Sequence, residues 1–499
     1  MTKHGDALLQ EILDDPAADP PRLVYADHLE QEGELARANF IRDQIRRTTL
    51  PSWDAKAVTL ELQERAALDK HAIKWRSKLP PLDGITWGGF SRGFVGSVGV
   101  TGLAALNQLD EVRRASPVGS LTMRWPSGGK LPKLPAIQGI EELTLTGTVM
   151  GPDALKWLAS CPLLSTLKTL ALIDSSLRTG MPHLIKSTHL RKLQALRIPL
   201  HDLGNTGVAK LATATTLPAL VELDLSVGTD EGGGYGSGRS YATPPVTSKS
   251  ILELAAWPVF ARIHTLDLSG AKLGSQGLLM LLATPNSKAL KKLAIRGIKD
   301  GDWDMDDSLG AFKSGPAGTL EELDISDNDL DPEAAHYLAE AKALRELKVL
   351  RLANVKSTSF DRLGKASWMR SVRVLTCNDQ PLPHLLPRAE QLHTLEIAPS
   401  STPLSKIAQL IAANPPHSLL VLDLSKARVD DAGLKAIAAL DLPKLVSISL
   451  PHVRGAVSNA AVEHLATSKL GQQLVSFDCG IADFDRLPPI KNYLARDEL

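Results

Sequence analysis

Apolar residues along this chain recur in two alternating rhythms. One has a period of two over about five residues; the other follows i, i+3, i+4 over about ten. The clearest short run is LEELDISDNDL, residues 320–330. In an extended strand Leu323 and Ile325 share one face, whereas Glu322, Asp324 and Ser326 share the other. Asn328 follows where the strand ends, so its amide can bond backbone groups exposed as the chain turns. The same Leu-x-x-Leu-x-Leu spacing restarts at Val118, Ile140, Leu167, Leu193, Leu220, Ile263, Leu290, Leu320, Leu347, Val372, Leu392, Leu419, Leu445 and Leu474, fourteen rows with a commonest step of 26 or 27 residues. Helical patterns such as GPDALKWLAS, NTGVAKLATA and DPEAAHYLAE lie between rows. One strand and one helix per step predict a right-handed α/β solenoid. Strands spaced about 4.8 Å apart and helices about 8–10 Å apart bend such a stack into a horseshoe with a parallel concave sheet and outer helices.

Before the rows the rhythm is helical throughout. Residues 6–15, 22–47 (broken at Gly33) and about 54–78 carry apolar stripes, and Pro16–Pro21 separates the first two segments. The expected organisation is a small all-α domain over 1–83, a transition and cap over 84–117, the array over 118–480 and a closing cap over 481–499.

Composition narrows the function classes. Lys plus Arg equals Asp plus Glu at 56 each, so no global field favours nucleic acid or an acidic membrane surface. The amino terminus has charges inside its only apolar stretch and does not resemble a signal peptide, and no run of eighteen apolar residues exists. Cys161, Cys377 and Cys479 lie far apart without CxxC spacing, and the last two fall on a leucine position, where a thiol serves as a small hydrophobe. The expectation is a soluble, reduced, cytoplasmic protein.

Two resemblances follow from these residues. The spacing L-x-x-L-x-L-x-x-N-x-L, filled at every specified position by Leu320, Leu323, Ile325, Asn328 and Leu330, resembles the leucine-rich repeat. The repeat length is similar to the ribonuclease-inhibitor and Ran-activator group, which implies protein binding or regulation of an enzyme. The run DPPRLVYADHLEQEG…ARANFIRDQ, continuing through HAIKWRSKLPPL and WGGFSRGFVGSV, resembles the bacterial repeat-companion domain of planctomycete and myxobacterial proteins. His28 stands where that family usually has Trp, and Glu34-Leu35 replaces its usual Asp-Pro. The family supplies no activity to place on particular residues.

Candidate sites concentrate on the inner face and the irregular rows. Glu222, Asp224, Asp267, Asp324, Arg351, Glu396 and Asp423 point outward from their strands, with Lys292, Arg296 and Asp478 beside them; an Asp in this column is also generic to such repeats. The row at Leu220 is 43 residues long because residues 227–250 are inserted, and Tyr235 and Tyr241 there are possible interface anchors. Arg239 in the same loop is the one candidate for an activator-type arginine. The acidic run Asp300–Asp307 fails the EF-hand pattern, with Met305 and Ala311 where Gly and Glu are required. Gly89–Gly93 fits G-x-S-x-G around Ser91, but FVGSVGV follows it where a nucleophile elbow needs a helix. The expectation is therefore a non-enzymatic scaffold for a protein partner, with no cofactor, metal, nucleic acid or membrane; an enzyme regulator and a Ser91 hydrolase are the rival readings.

Overall fold

The computed structural model describes residues 3–102, 104–124, 139–146, 152–175, 177–227, 246–298, 312, 320–451 and 457–478. Tyr235, Arg239, Tyr241, the run Asp300–Asp307, Cys479 and the cap 481–499 lie outside them. The chain forms two compact units, Met1–Ala271 and Lys272–Leu499.

The first unit begins with four helices, α1 (Lys3–Asp14), α2 (Pro20–Gln31), α3 (Leu35–Thr48) and α4 (Ala55–Arg76). Proline opens α2, where a missing N–H costs nothing. Gly33 follows it at φ +81°, a left-handed conformation that favours glycine. The Asp54 carboxylate caps α4 by accepting from Lys56 N at 2.8 Å. Leu8, Ile12, Tyr25, Ala26, Ala38, Ile41 and Ile45 bury against one another and against Phe94 of the following segment.

That segment supplies β1 (Ile85–Trp87), β2 (Phe90–Ser91), β3 (Phe94–Val95) and β4 (Ser97–Val100). β2 and β3 form an antiparallel hairpin, whereas β1 pairs antiparallel with β4. β4 in turn runs parallel to β5 (Ser120–Arg124). The sheet thus starts two strands before the first row read from sequence, because ITW and SVGV lack the leucine spacing.

Each of the fourteen rows then contributes one strand. In the first unit these are β5, β6 (Glu142–Thr146), β7 (Thr169–Ile173), β8 (Ala195–Arg197), β9 (Glu222–Asp224) and β10 (Thr265–Asp267), all parallel. The second unit holds β11 (Lys292–Ala294), β12 (Glu322–Asp324), β13 (Val349–Leu352), β14 (Val374–Cys377), β15 (Thr394–Ile397), β16 (Val421–Asp423), β17 (Ser447–Ser449) and β18 (Ser476–Asp478), again all parallel. This is the expected α/β solenoid arrangement. Leu293, Leu323, Leu350, Leu375, Leu395, Leu422 and Ile448 stand side by side in register, and each is at most 2% exposed. Burying each such side chain is worth about 1.5–3 kcal/mol. Cys377 joins the same layer in β14, and burial pushes its thiol up out of the reactive range.

The turn after the strand is equally repetitive. Asp174, Leu200 and Gly270 in the first unit, and Gly297, Asp327 and Asn354 in the second, occupy equivalent positions with φ between +53° and +76°. The next residue is buried at each of them, and in the row of β12 it is Asn328. Its Nδ2 donates to the carbonyls of Ile295 (2.8 Å), Ile325 (3.0 Å) and Ser326 (3.2 Å), while its Oδ1 accepts from Ile298 N at 3.0 Å. One amide therefore closes its own turn and ties it to the preceding row.

Candidate binding face

The sheet has two chemically different faces. One carries the leucine ladder against the helices; the other displays the alternate residues, half-buried and in register across neighbouring strands. In the second unit one column runs Ala294, Asp324, Arg351, Thr376, Glu396, Asp423, Ser449 and Asp478. In the first unit Arg197, Asp224 and Asp267 are the equivalent neighbours.

The carboxylates in this column have a local duty. Asp224, Asp267, Asp324 and Asp423 each accept, through Oδ1, from the backbone N–H two residues on, at 2.8–3.0 Å (Ser226, Ser269, Ser326 and Ser425). They hold the strand end, which is why a short acidic residue recurs there.

Neighbouring rows are also cross-linked by ions. Arg197 Nε meets Glu222 at 2.5 Å, and that hydrogen bond raises the guanidinium above its ordinary value. Lys292 lies 2.5 Å from Glu322, and Arg351 reaches the same carboxylate at 3.9 Å. These pairs are half-exposed, so each contributes roughly 0–1 kcal/mol. Their larger effect is to fix side-chain positions on the face.

As Asp224 and Asp267 do in the first unit, Glu396 and Asp423 form an acidic pair in the second. They are adjacent in register, Thr376 Oγ1 donates to Glu396 at 2.7 Å, and among the described residues neither carboxylate has a salt bridge. Like charges on adjacent strands repel, so a cation from outside is favoured at this pair.

A second polar line follows the turns at one end of the strands. Arg296 Nη2 contacts Asp327 at 2.7 Å, Asn354 Nδ2 donates to Asp327 at 2.9 Å, and Asn354 N donates to Asn378 Oδ1 at 2.5 Å. Asn378 Nδ2 reaches Pro399 O at 2.8 Å, so five successive rows are tied together. Sequence reasoning named Arg296 but missed Asp327, Asn354 and Asn378. The available signal was a polar residue one or two places after the last leucine position of the strand in each of these rows.

Ser91 sits at an exposed position of the β2–β3 hairpin, and a two-residue turn, not a helix, follows it. The geometry of a nucleophile elbow is absent at this run. Among the described residues no group of three or more His, Cys, Asp or Glu could hold a metal ion, and no helix is long and apolar enough to cross a membrane.

One comparison with known proteins agrees with the repeat geometry. The family model described as "Leucine Rich repeat" matches residues 319–339 and 416–438, the rows of β12 and β16. The strand ladder and the left-handed column of the other rows are consistent with the same leucine-rich repeat. No curated protein matches the sequence. Among solved structures, a chain of "Crystal structure of Rad7 and Elc1 complex in yeast" aligns over 75% of this chain and 82% of its own length, at 13% identity and a TM-score of 0.38.

Proposed function

We propose that this protein is a scaffold that binds a protein partner across its strand face, with the neighbouring carboxylates Glu396 and Asp423 taking a basic segment of that partner. The observation that carries the reading is an ordered, in-register face of half-buried polar side chains, with an acidic pair that has no salt bridge among the described residues. Partner cations over such a pair add specificity and on-rate more than raw affinity. Residues 227–250, with Tyr235, Arg239 and Tyr241, are read as a second contact because a long insertion leaves the carboxyl end of β9.

The remaining assignments belong to the same proposal. Residues 1–83 are read as a bacterial repeat-companion domain, 84–117 as the cap of the array, 118–480 as the repeats and 481–499 as the closing cap. Location is read as cytoplasmic from three cysteines without disulfide spacing.

The test is affinity capture from the native organism with three baits: the intact chain, the double variant Glu396→Gln/Asp423→Asn, and a chain with residues 227–250 replaced by a short Gly-Ser linker. The expected result is a partner that the intact chain retains, the double variant loses and added salt releases. A partner held equally by all three baits, or no partner at all, would sink the reading.

A further inference from the structure

A pocket of about 150 Å³ opens in the amino-terminal part of the first unit, away from the strand column discussed above. Its apolar wall is Leu29, Trp75, Phe90 and Phe94, and its charged residues are Glu34, Arg37, Lys74 and Lys78. The volume matches an engineered protein cavity that holds one benzene molecule.

Arg37 is the unusual member. Its guanidinium carbon lies 4.4 Å from the Trp75 ring centre, 5.3 Å from Phe90, 5.5 Å from Phe94 and 5.7 Å from Phe40. Nη1 is buried without a hydrogen-bond partner, and among the described residues the side chain makes no ion pair. The nearby carboxylate is already engaged, because Lys74 Nζ holds both Glu34 oxygens at 3.0 and 3.2 Å. Lys78 likewise has no ion pair among the described residues.

Arg22 shows what a purely structural arginine does in the same domain. It packs 5.2 Å from the Phe94 ring centre and, although its Nε is also buried without a hydrogen-bond partner among the described residues, Nη1 donates to Arg92 O at 3.0 Å and Nη2 to Pro16 O at 2.7 Å. Aromatic faces attract a cation without satisfying its directed N–H donors. A desolvated donor left unmatched is costly. The pocket thus combines a cationic surplus, three positive groups against one negative, with an aromatic floor of single-ring size.

We propose that this pocket binds a small carboxylate carrying one apolar group of about benzene size, the carboxylate meeting Arg37 and Lys78 and the apolar group lying against Trp75, Phe90 and Phe94. Two sources offer that chemistry: a free organic acid, or the last residue of a peptide ending in an aromatic side chain. The site is independent of the strand-face proposal, since every residue involved precedes Val118.

The test is titration of the full-length chain by calorimetry with four probes: phenylacetate, phenylacetamide, a short peptide ending in Phe with a free carboxylate, and its amide. Saturable binding of phenylacetate or of the free peptide, at least about tenfold tighter than the matching amide, is expected because a charge-assisted bond is lost in the amide. Binding of the acid alone assigns a free acid as the source; preferential binding of the free peptide assigns a chain terminus. Arg37→Met removes the guanidinium at similar volume, and the exposed Lys78→Ala weakens binding without touching the core, so a misfolded Arg37 variant would not leave the question open. Equal affinity of acids and amides, binding unchanged in both variants, or no binding by any probe at millimolar concentration would overturn the proposal.

Discussion

At the residue scale, His201 shows what the repeat's asparagine is for. It occupies the position of Asn328 in its own row, is 1% exposed, and takes over similar work with a ring. Nδ1 accepts from Leu203 N at 3.1 Å, so Nε2 carries the proton and donates to Leu225 O at 3.0 Å. Burial holds this imidazole below its ordinary value, so the folded protein binds the proton less readily than the unfolded chain. The corresponding stability is fully present above the unfolded pKa of about 6.5 and is lost as pH falls from there toward the folded value, at up to about 1.4 kcal/mol per pH unit. Thermal melts from neutral pH to about 5 are expected to show this decline, and His201→Asn is expected to flatten it. Parallel pH profiles for the two proteins would contradict the assignment. The preceding residue supplies a second prediction. Among the described residues Leu200, with φ +57°, is the one branched hydrophobe in a left-handed column otherwise filled by Asp, Asn and Gly. That conformation costs a leucine about 1–2 kcal/mol. Leu200→Asn is expected to raise the urea midpoint by up to about 1 kcal/mol of stability, since some half-buried apolar area is lost in exchange. A lower midpoint would mean that the leucine's packing outweighs its strain.

At the scale of elements, the hairpin Phe90–Val95 is a joint between helices and sheet. Arg92 and Gly93 both have positive φ, +49° and +88°, the signature of the tight turn whose twist suits paired strands. Gly93 N donates to Gln44 Oε1 at 2.7 Å, and a Cβ there would stand 2.2 Å from Ile41 Cγ1 and 3.0 Å from its Cα. The Arg92 carbonyl accepts from Arg22, and its guanidinium donates to Ala17 O at 2.7 Å. The glycine in this G-x-S-x-G run therefore serves a close approach to α3. Gly93→Ala is expected to cost at least about 2 kcal/mol, read from denaturant unfolding, because turn strain and clash add. Ser91→Ala is expected to change stability by less than about 0.5 kcal/mol, and a covalent serine probe is expected to leave Ser91 unlabelled. Labelling at Ser91 would reopen the hydrolase reading. The repeat strands were legible in sequence because period-two burial writes itself into every row. β1 and β4 were not, since ITW and SVGV carry no leucine frame. The pocket around Arg37 was invisible for another reason: its walls come from α1, α2, α3, α4, the hairpin and residues 115–116, and only folding brings those segments together.

At the scale of the whole molecule, the array's stability is a sum over rows and the junctions between them. Fold class could be read from sequence for that reason, since fourteen weak signals share one period. The proposed binding surface could be read from sequence only as a face, because the strand-end role of Asp324 or Asp423 looks the same in sequence as recognition. The row-and-junction view makes a measurable claim within the second unit. Leu323 is 0% exposed in β12, between Leu293 of β11 and Leu350 of β13. Leu323→Ala removes its transfer energy and leaves a cavity, a loss of roughly 2–5 kcal/mol. If each row couples mainly to its neighbours, hydrogen exchange is expected to speed up most at the amides of β11, β12 and β13, less at β14 and β15, and least at β17 and β18. A uniform acceleration from β11 to β18 would show instead that the unit opens only as a whole, and that ion pairs such as Arg351–Glu322 and the amide ties at Asn328, Asn354 and Asn378 bind the rows into one cooperative block.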